Sequence, residues 1–187
     1  MSTRHLQAPA WSIDQWFNTP TPLSLQSLRG KVIVLEAFQM LCPGCVSHGL
    51  PQMQRVQETF SPLQLAVIGL HSVFEHHQAM TPTALAAFLH EYRITYPVGV
   101  DRPGEGRSIP QTMQAYDMQG TPTTILIDAQ GQLRYQHLGQ ISDMLLSAQI
   151  TTLILQAHAD AGPEDREASA SKAAACDGDA CPVPTVG

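Results

Sequence analysis

The stretch Cys42-Pro43-Gly44-Cys45 decides the fold of this chain. It follows an unbroken apolar run, Val32-Ile33-Val34-Leu35, which predicts a buried strand, and it precedes a helical pattern that reaches about residue 60. Two thiols at a strand-to-helix junction can close a small disulfide ring, with the first thiol at a helix N-terminus, where backbone N–H groups favour a thiolate. This arrangement predicts a redox-active pair in which Cys42 attacks and Cys45 resolves. Zinc sites use the same C-x-x-C spacing, so the surrounding residues must decide between the two interpretations.

The composition indicates a largely globular chain with an acidic end. Of its 187 residues, 43% are hydrophobic and 14% are charged, and the net charge is −6. That charge disfavours nucleic acid and anionic membrane surfaces as partners. Residues 159–187 hold six acids against two bases and almost no large apolar side chain, so they are predicted to be a flexible acidic tail. The expected organisation is one domain over residues 1–158, with 1–24 as an N-terminal extension, and then the tail 159–187.

Neither a signal peptide nor a membrane-spanning segment is predicted. The first 16 residues have no apolar stretch behind a basic start, and no window approaches the roughly 18 apolar residues that a transmembrane helix needs. Four cysteines in two close pairs are not typical of a secreted disulfide scaffold. We therefore expect a cytoplasmic protein, in which a C-x-x-C pair is catalytic or binds a metal.

The remaining pattern alternates strands and helices. Residues 65–70 predict a second buried strand, and Thr81 followed by Pro82 predicts the start of the next helix. Residues 123–128 and 133–138 predict a hairpin, and a last helix is expected to open at Ser142. Residues 1–30 are expected to lay one or two strands across one end of the domain. The predicted order is β-α-β-α, then β-β-α.

This order resembles the thioredoxin fold, and most closely the TlpA/ResA-like redoxins that adjoin the AhpC/TSA peroxiredoxins. The similarity covers about residues 20–157 and is carried by three stretches: 25–31 (LQSLRGK) before the first core strand, the dithiol, and 120–124 (GTPTT) before the hairpin. It implies an α/β thioredoxin-like three-layer sandwich with a central mixed β-sheet flanked by helices. It also implies a thiol–disulfide oxidoreductase that needs no cofactor and acts on protein or small-molecule disulfides. A thioredoxin-reductase-type protein is a candidate electron donor.

The resemblance implies three further site residues. Glu36 lies six residues before Cys42, where thioredoxins place a buried acid, which implies a proton acceptor for the Cys45 thiol. The alternative for Glu36 is a surface residue at the edge of its strand. Thr121 and Pro122 match the cis-proline segment whose backbone binds the partner chain.

Two features depart from the redoxin pattern. The order Pro-Gly inside the dithiol motif reverses the familiar Gly-Pro, so the direction of net electron flow is left open. Pro51 falls six residues after Cys45, one later than usual, with Gly49 between them. This spacing predicts a bulge or kink in the helix that follows the dithiol.

Three alternative functions remain open. A peroxiredoxin-like peroxidase reducing hydroperoxides needs a Thr or Ser three residues before its reactive cysteine, but Gln39 stands there before Cys42. A binding module with an incidental dithiol is another alternative. The third is a copper or zinc module, which would combine the dithiol with nearby histidines, although we predict no metal; these histidines are His48, His71, His76 and His77.

The predicted tail contains a second cysteine pair, Cys176 and Cys181, in a C-x4-C arrangement. One interpretation is an unselected appendage. The other is a second dithiol that relays electrons to Cys42 and Cys45.

Overall fold

The computed structural model describes residues 6–160, which form a sheet of seven strands with four helices. The predicted tail, with Cys176 and Cys181, lies outside the described residues. The strands are β1 (Leu6–Gln7), β2 (Ile13–Phe17), β3 (Val32–Phe38), β4 (Leu65–His71), β5 (Val98–Asp101), β6 (Thr123–Ile127) and β7 (Gln132–Leu138). The helices are α1 (Leu50–Thr59), preceded by a π-helical turn (Cys45–Gly49), α2 (Pro82–Glu91), α3 (Gln111–Ala115) and α4 (Asp143–Asp160).

The sheet is mixed, with the strand order β1-β7-β6-β3-β4-β5-β2. The central strand β3 runs parallel to β4 and antiparallel to β6, and every residue of β3 is buried. The apolar run 32–35 thus forms the middle of the sheet, as its composition predicts. The predicted hairpin is present as β6 and β7. These features confirm the thioredoxin-like fold class, with helices on both faces of a mixed sheet.

Alternation along β3 divides the core into two layers. Val34 and Phe38 face α1, α2 and α4, whereas Ile33 and Leu35 face α3 and the N-terminal segment. The connections from β3 through α1 to β4, and from β4 through α2 to β5, advance in the same direction along the sheet. Right-handed crossovers therefore bring α1 and α2 to the same face. Glu36 belongs to that face and is the charged residue of an otherwise apolar strand.

The N-terminal segment departs from the prediction. Strands across one end of the domain were expected, but β1 pairs with β7 and β2 pairs with β5, at the two opposite edges of the sheet. Residues 8–12 connect the two edges over the α3 face, where the Ser12 N–H donates to Thr112 Oγ1 at 2.8 Å and Trp11 Nε1 donates to the Tyr116 hydroxyl at 3.1 Å. Both edges offered unpaired backbone groups, which these short strands satisfy.

The start of α2 is the one that the sequence predicts. Thr81 caps α2, because its hydroxyl oxygen accepts a hydrogen bond from the Ala84 N–H at 3.3 Å.

No helix within residues 6–160 combines the length and the apolar character needed to cross a membrane.

Candidate active site

The dithiol lies where the chain leaves the central strand and enters a helix. Cys42 is half-buried and Cys45 is fully buried, and both thiols are free. The Cys45 backbone N–H donates to Cys42 Sγ at 3.2 Å, as expected of a sulfur at a helix N-terminus. Cys42 is therefore the accessible thiol, and a backbone donor already points at its sulfur.

The Cys45 thiol has the opposite environment. Burial, followed by the contact with Cys42, raises the pKa of Cys45 to about 12. Cys45 therefore remains a neutral thiol near pH 7. It can attack a sulfur only if another group accepts its proton.

The segment before β6 completes the surroundings of Cys42. The Thr121–Pro122 bond is cis, as the GTPTT resemblance implies. Cys42 Sγ donates to the Thr121 carbonyl oxygen at 3.5 Å. The start of the helix packs against the proline ring, since a Cβ atom on Gly44 would lie in ordinary van der Waals contact, 3.4 Å from Pro122 Cδ. The structure thus brings Thr121 and Pro122 to the dithiol.

Glu36 is buried under the first turn of the helix. Its side chain is 1% exposed, so the alternative of a surface residue at a strand edge is wrong. Thr124 Oγ1 donates to Oε2 at 2.7 Å, while Oε1 has no hydrogen-bond partner among residues 6–160. Burial raises the pKa of Glu36 to about 7, against the smaller lowering effect of the Thr124 bond. Near neutral pH both the acid and the carboxylate are populated.

The helix after the dithiol carries the irregularity that the sequence predicts. Residues 45–49 form a π-helical turn, in which the Leu50 N–H donates to the Cys45 carbonyl. Pro51 has no N–H to continue an ordinary α-helical ladder at this point. Gly49 lies directly on Glu36 Oε1, so that a Cβ atom there would overlap the carboxylate. A larger residue at position 49 would force the buried carboxyl or the helix to move, because the acid occupies the space beneath the glycine.

An open pocket of about 310 Å³ leads from the surface to Glu36. It lies between the helix that follows the dithiol, Pro122 and the loop that enters α4. Because Glu36 lines this pocket, the buried carboxyl has a route along which it can exchange protons with solvent. His48 and Arg55 line the same pocket from the helix side.

The candidate metal ligands are not assembled. Within residues 6–160, no three His, Cys, Asp or Glu side chains are grouped closely enough to hold a metal ion. His71 is buried against Phe38, with ring centroids 5.3 Å apart, and burial lowers the pKa of His71 to about 4. His48 is exposed beside Ser47, and His76 and His77 are exposed in the loop before α2.

A family model described as the AhpC/TSA family matches residues 6–136. The chain belongs to the AhpC/TSA family. The predicted resemblance, to thioredoxin-fold redoxins of the TlpA/ResA type that adjoin this family, is confirmed.

Solved structures resemble this AhpC/TSA-family chain over most of its length. A thioredoxin-like superfamily protein is 59% identical, with a TM-score of 0.78, and the match covers 80% of this chain and 96% of that one. A thiol-disulfide isomerase from Corynebacterium glutamicum is 48% identical, with a TM-score of 0.75, over 79% of this chain and 96% of that one.

Curated relatives of this AhpC/TSA-family chain are longer proteins. NHL repeat-containing protein 2 from Bos taurus is 28% identical over 128 residues, which are 67% of this chain and 16% of that protein. The chain therefore spans about a sixth of the length of this relative.

One part of the site in this AhpC/TSA-family chain was missed by sequence reasoning. Gln52, on α1, donates from Nε2 to the Ile141 carbonyl at 2.9 Å and to Asp143 Oδ1 at 2.6 Å. Arg55 binds both oxygens of Asp143, each at 3.1 Å. These contacts join α1 to the start of α4 beside the pocket. The only sequence signal was Asp143 at a predicted helix start.

Proposed function

We propose that this protein is a thiol–disulfide oxidoreductase whose Cys42–Cys45 dithiol exchanges with disulfides of proteins or small thiols. The observation that carries the proposal is the asymmetry of the two thiols. Cys42 is half-exposed, with a backbone N–H on its sulfur, whereas Cys45 is buried and holds its proton. One accessible nucleophile and one protected resolving thiol are what disulfide exchange requires.

The proposed reaction has two steps. The Cys42 thiolate attacks one sulfur of the partner disulfide, which forms a mixed disulfide and releases the first partner thiolate. Cys45 then loses its proton and attacks Cys42 Sγ, which forms the Cys42–Cys45 disulfide and releases the second partner thiolate. Two electrons pass from the dithiol to the partner, and the reverse sequence oxidises a partner dithiol. No organic cofactor is needed, because the cysteine sulfurs carry the electrons.

Glu36 is the proposed acceptor of the Cys45 proton. With a pKa raised by burial to about 7, it is ionised in a large fraction of molecules at neutral pH and still basic enough to take a proton. Gly49 sits on this carboxyl one helical turn after Cys45, and the pocket opens to solvent from the same place. The acid is thus close to the resolving segment and able to return its proton to water.

Thr121 and Pro122 are the proposed binding edge for the partner chain. The Thr121 carbonyl already faces Cys42 Sγ, so an extended partner backbone can pair beside it while its disulfide meets the nucleophile. A thioredoxin-reductase-type protein is the proposed electron donor. The solved structure that is 48% identical to this chain is that of a thiol-disulfide isomerase, which supports the same class of reaction.

The test is reduction of a model protein disulfide driven by dithiothreitol. Cys42→Ser should abolish catalysis, and Cys45→Ser should accumulate a mixed disulfide through Cys42 that mass spectrometry detects. Glu36→Gln should slow the second step near neutral pH, whereas Glu58→Gln, an exposed glutamate on α1, should not. Full activity in Cys42→Ser would rule out the proposal.

A second candidate function is a thiol peroxidase that reduces hydroperoxides, which the AhpC/TSA family match supports. The side chain of Gln39, three residues before Cys42, accepts from the Phe74 N–H and donates to Glu75, both at 3.4 Å. Glutamine has no hydroxyl group, so Gln39 cannot supply the hydroxyl that a peroxidase site of this kind directs at a peroxide beside its reactive cysteine. Peroxide consumption much faster than disulfide reduction, with a sulfenic acid trapped on Cys42, would favour this second function.

A further inference from the structure

Glu36 has a second polar neighbour that the proposed chemistry does not use. Tyr96 is 1% exposed, and its hydroxyl has no hydrogen-bond partner among residues 6–160. Glu36 Oε1 likewise has no hydrogen-bond partner among these residues. Both ring nitrogens of His71, in the same layer of the core, are also unpaired. Unpaired buried polar atoms are unusual, because each costs free energy when it is removed from water without a partner.

The sheet register places the Tyr96 ring beside Glu36. Gly69 on β4 lies directly opposite Glu36 on β3. A Cβ atom on Gly69 would come within 3.2 Å of Tyr96 Cε2, which is the ring carbon next to the one that carries the hydroxyl. The Tyr96 ring, together with Val98 at 2.9 Å and Phe38 at 3.3 Å, fills the space left by the missing side chain, on the face of the sheet that carries Glu36. The absence of a side chain at Gly69 allows the Tyr96 ring to approach β4. The absence of a side chain at Gly49 likewise allows the helix to approach Glu36.

Residues from three different parts of the fold surround the Glu36 carboxyl. Thr124, on β6, binds Oε2 from one side. Gly49 lies against Oε1 from the helix. Tyr96 occupies the β4 side. Burial, and then the charge of Glu36, raise the pKa of Tyr96, as expected if the two groups interact electrostatically.

We propose that the Tyr96 hydroxyl is a positioning group for Glu36, donating a hydrogen bond towards Oε1 through one enclosed water molecule. A phenol that stays protonated can only donate to a carboxylate, so the bond stabilises the ionised form of Glu36. Its catalytic consequence rests on the proposed function, whereas the contact itself does not.

Other titratable groups around Glu36 come from β4 and from the helices. His71, two residues after Gly69, packs on Phe38 on the same face of the sheet. His48 and Arg55 on the dithiol side and Asp143 at the start of α4 line the pocket with it, and Cys45 lies one turn before Gly49. Arg55 and Asp143 neutralise each other at 3.1 Å. None of these groups is removed by a substitution at Tyr96, so that substitution isolates the phenol.

The experiment is a titration of the Glu36 carboxyl by carbon-13 NMR in the full chain, with the signal assigned by its loss in Glu36→Gln. Tyr96→Phe keeps the ring and removes the hydroxyl, and the Glu36 midpoint should rise by about one unit. The control is Tyr116→Phe, which removes a buried hydroxyl on the α3 face, bonded to Trp11 and Pro9, and should leave the midpoint unchanged. If Tyr96→Phe does not fold, 3-fluorotyrosine at position 96 is a stronger donor and should lower the midpoint.

An unchanged midpoint in Tyr96→Phe would overturn the proposal, as would an equal shift in both tyrosine variants. If proton acceptance by Glu36 limits exchange, a midpoint one unit higher also slows the reaction about fivefold at pH 7, because fewer molecules carry the carboxylate. A shifted midpoint together with an exchange rate that Glu36→Gln leaves unchanged would support the contact and reject the proposed role of Glu36.

Discussion

Gly49 and Glu36 touch across the interface between the helix and the sheet, and a Cβ atom at position 49 would overlap Glu36 Oε1. Alanine normally stabilises a helix relative to glycine by about 0.5–1 kcal/mol. At this position we predict the opposite, a loss of about 1–3 kcal/mol in the free energy of unfolding of Gly49→Ala, because the overlap must be relieved by movement of the helix or the acid.

Chemical denaturation measures this loss, and Gly120→Ala is the matched control, since a Cβ atom there would lie at an ordinary 3.5 Å from Leu138 Cδ1. The cost of Gly49→Ala should largely vanish when it is added to Glu36→Ala, which removes the overlapping carboxylate. Equal costs in both backgrounds would show that Glu36 is not the reason for the glycine.

A second prediction concerns the thiols. Iodoacetamide should label Cys42 at least about tenfold faster than Cys45 at pH 7–9, because Cys42 is half-exposed whereas Cys45 is buried and, with a pKa raised to about 12, almost fully protonated. Peptide mapping by mass spectrometry distinguishes the two sites. Cys45 should react only when the protein unfolds, so its label should appear in parallel with denaturation. Faster labelling of Cys45 in the folded protein would reverse the roles assigned to the two residues.

A third prediction links Glu36 to stability. Burial raises its pKa from 4.5 to about 7, so the folded state binds this proton more tightly than the unfolded state. The contribution to the free energy of unfolding is therefore complete below pH 4.5 and declines as the pH rises to about 7, by on the order of 3 kcal/mol. Glu36→Gln should remove this decline.

The protonation of His71 changes the free energy of unfolding in the opposite direction, over an overlapping range of pH. Its pKa is lowered from 6.5 to about 4, so its contribution is lost as the pH falls from 6.5 towards 4. The quantity to measure is thus the difference between wild type and Glu36→Gln at each pH, in which the His71 contribution cancels. A difference that does not change between pH 4.5 and 7 would contradict the Glu36 assignment, and Glu58→Gln serves as the exposed control.

The fourth prediction concerns Cys176 and Cys181. Helix α4 begins at the pocket and ends at Asp160, whose carboxylate accepts from Gln130 Nε2 at 3.2 Å in the turn between β6 and β7. Its 18 residues span about 27 Å, so the chain leaves the described domain at the end opposite the dithiol. Cys176 lies sixteen positions after Asp160, and this stretch can span at most about 55 Å.

That reach allows a tail thiol to return to Cys42. We predict that Cys45→Ser, treated with a model disulfide, forms a Cys42–tail disulfide as the tail thiol displaces the partner from Cys42. Truncation after Ala161 should abolish this adduct and slow turnover with the natural reductant, leaving Cys42 labelling unchanged. A variant with Ser at 176 and 181 separates loss of the thiols from loss of the segment. Intermolecular adducts alone would show that the tail is passive.

Sequence patterns predicted the parts of the fold that depend on local composition. The apolar runs of β3 and β4, the Thr81 cap and the irregular helix at Gly49 and Pro51 each follow from a few neighbouring residues. The dithiol and the cis Thr121–Pro122 segment were paired through resemblance, because Gly120 lies 75 positions after Cys45 and no local pattern joins them.

The parts that sequence reasoning missed depend on contacts between distant residues. The strand β1 has only two residues and exists because Leu6 pairs with Leu133. Gln52 is an ordinary helical residue until Asp143 and Ile141, about 90 positions later, approach its amide. Tyr96 follows a helix end and precedes a proline, and only the register of β3 against β4 reveals that its ring lies beside Glu36.

The short N-terminal strands have a further consequence for the whole domain. One segment, residues 6–17, pairs with β5 along its length and with Gln132 and Leu133 of β7, so its release would expose further backbone at both edges of the sheet at once. Exposed edge strands pair readily with other chains, and new edges on two sides let a sheet add chains in both directions. We therefore expect removal of residues 6–17 to promote self-association of the domain, which light scattering would detect.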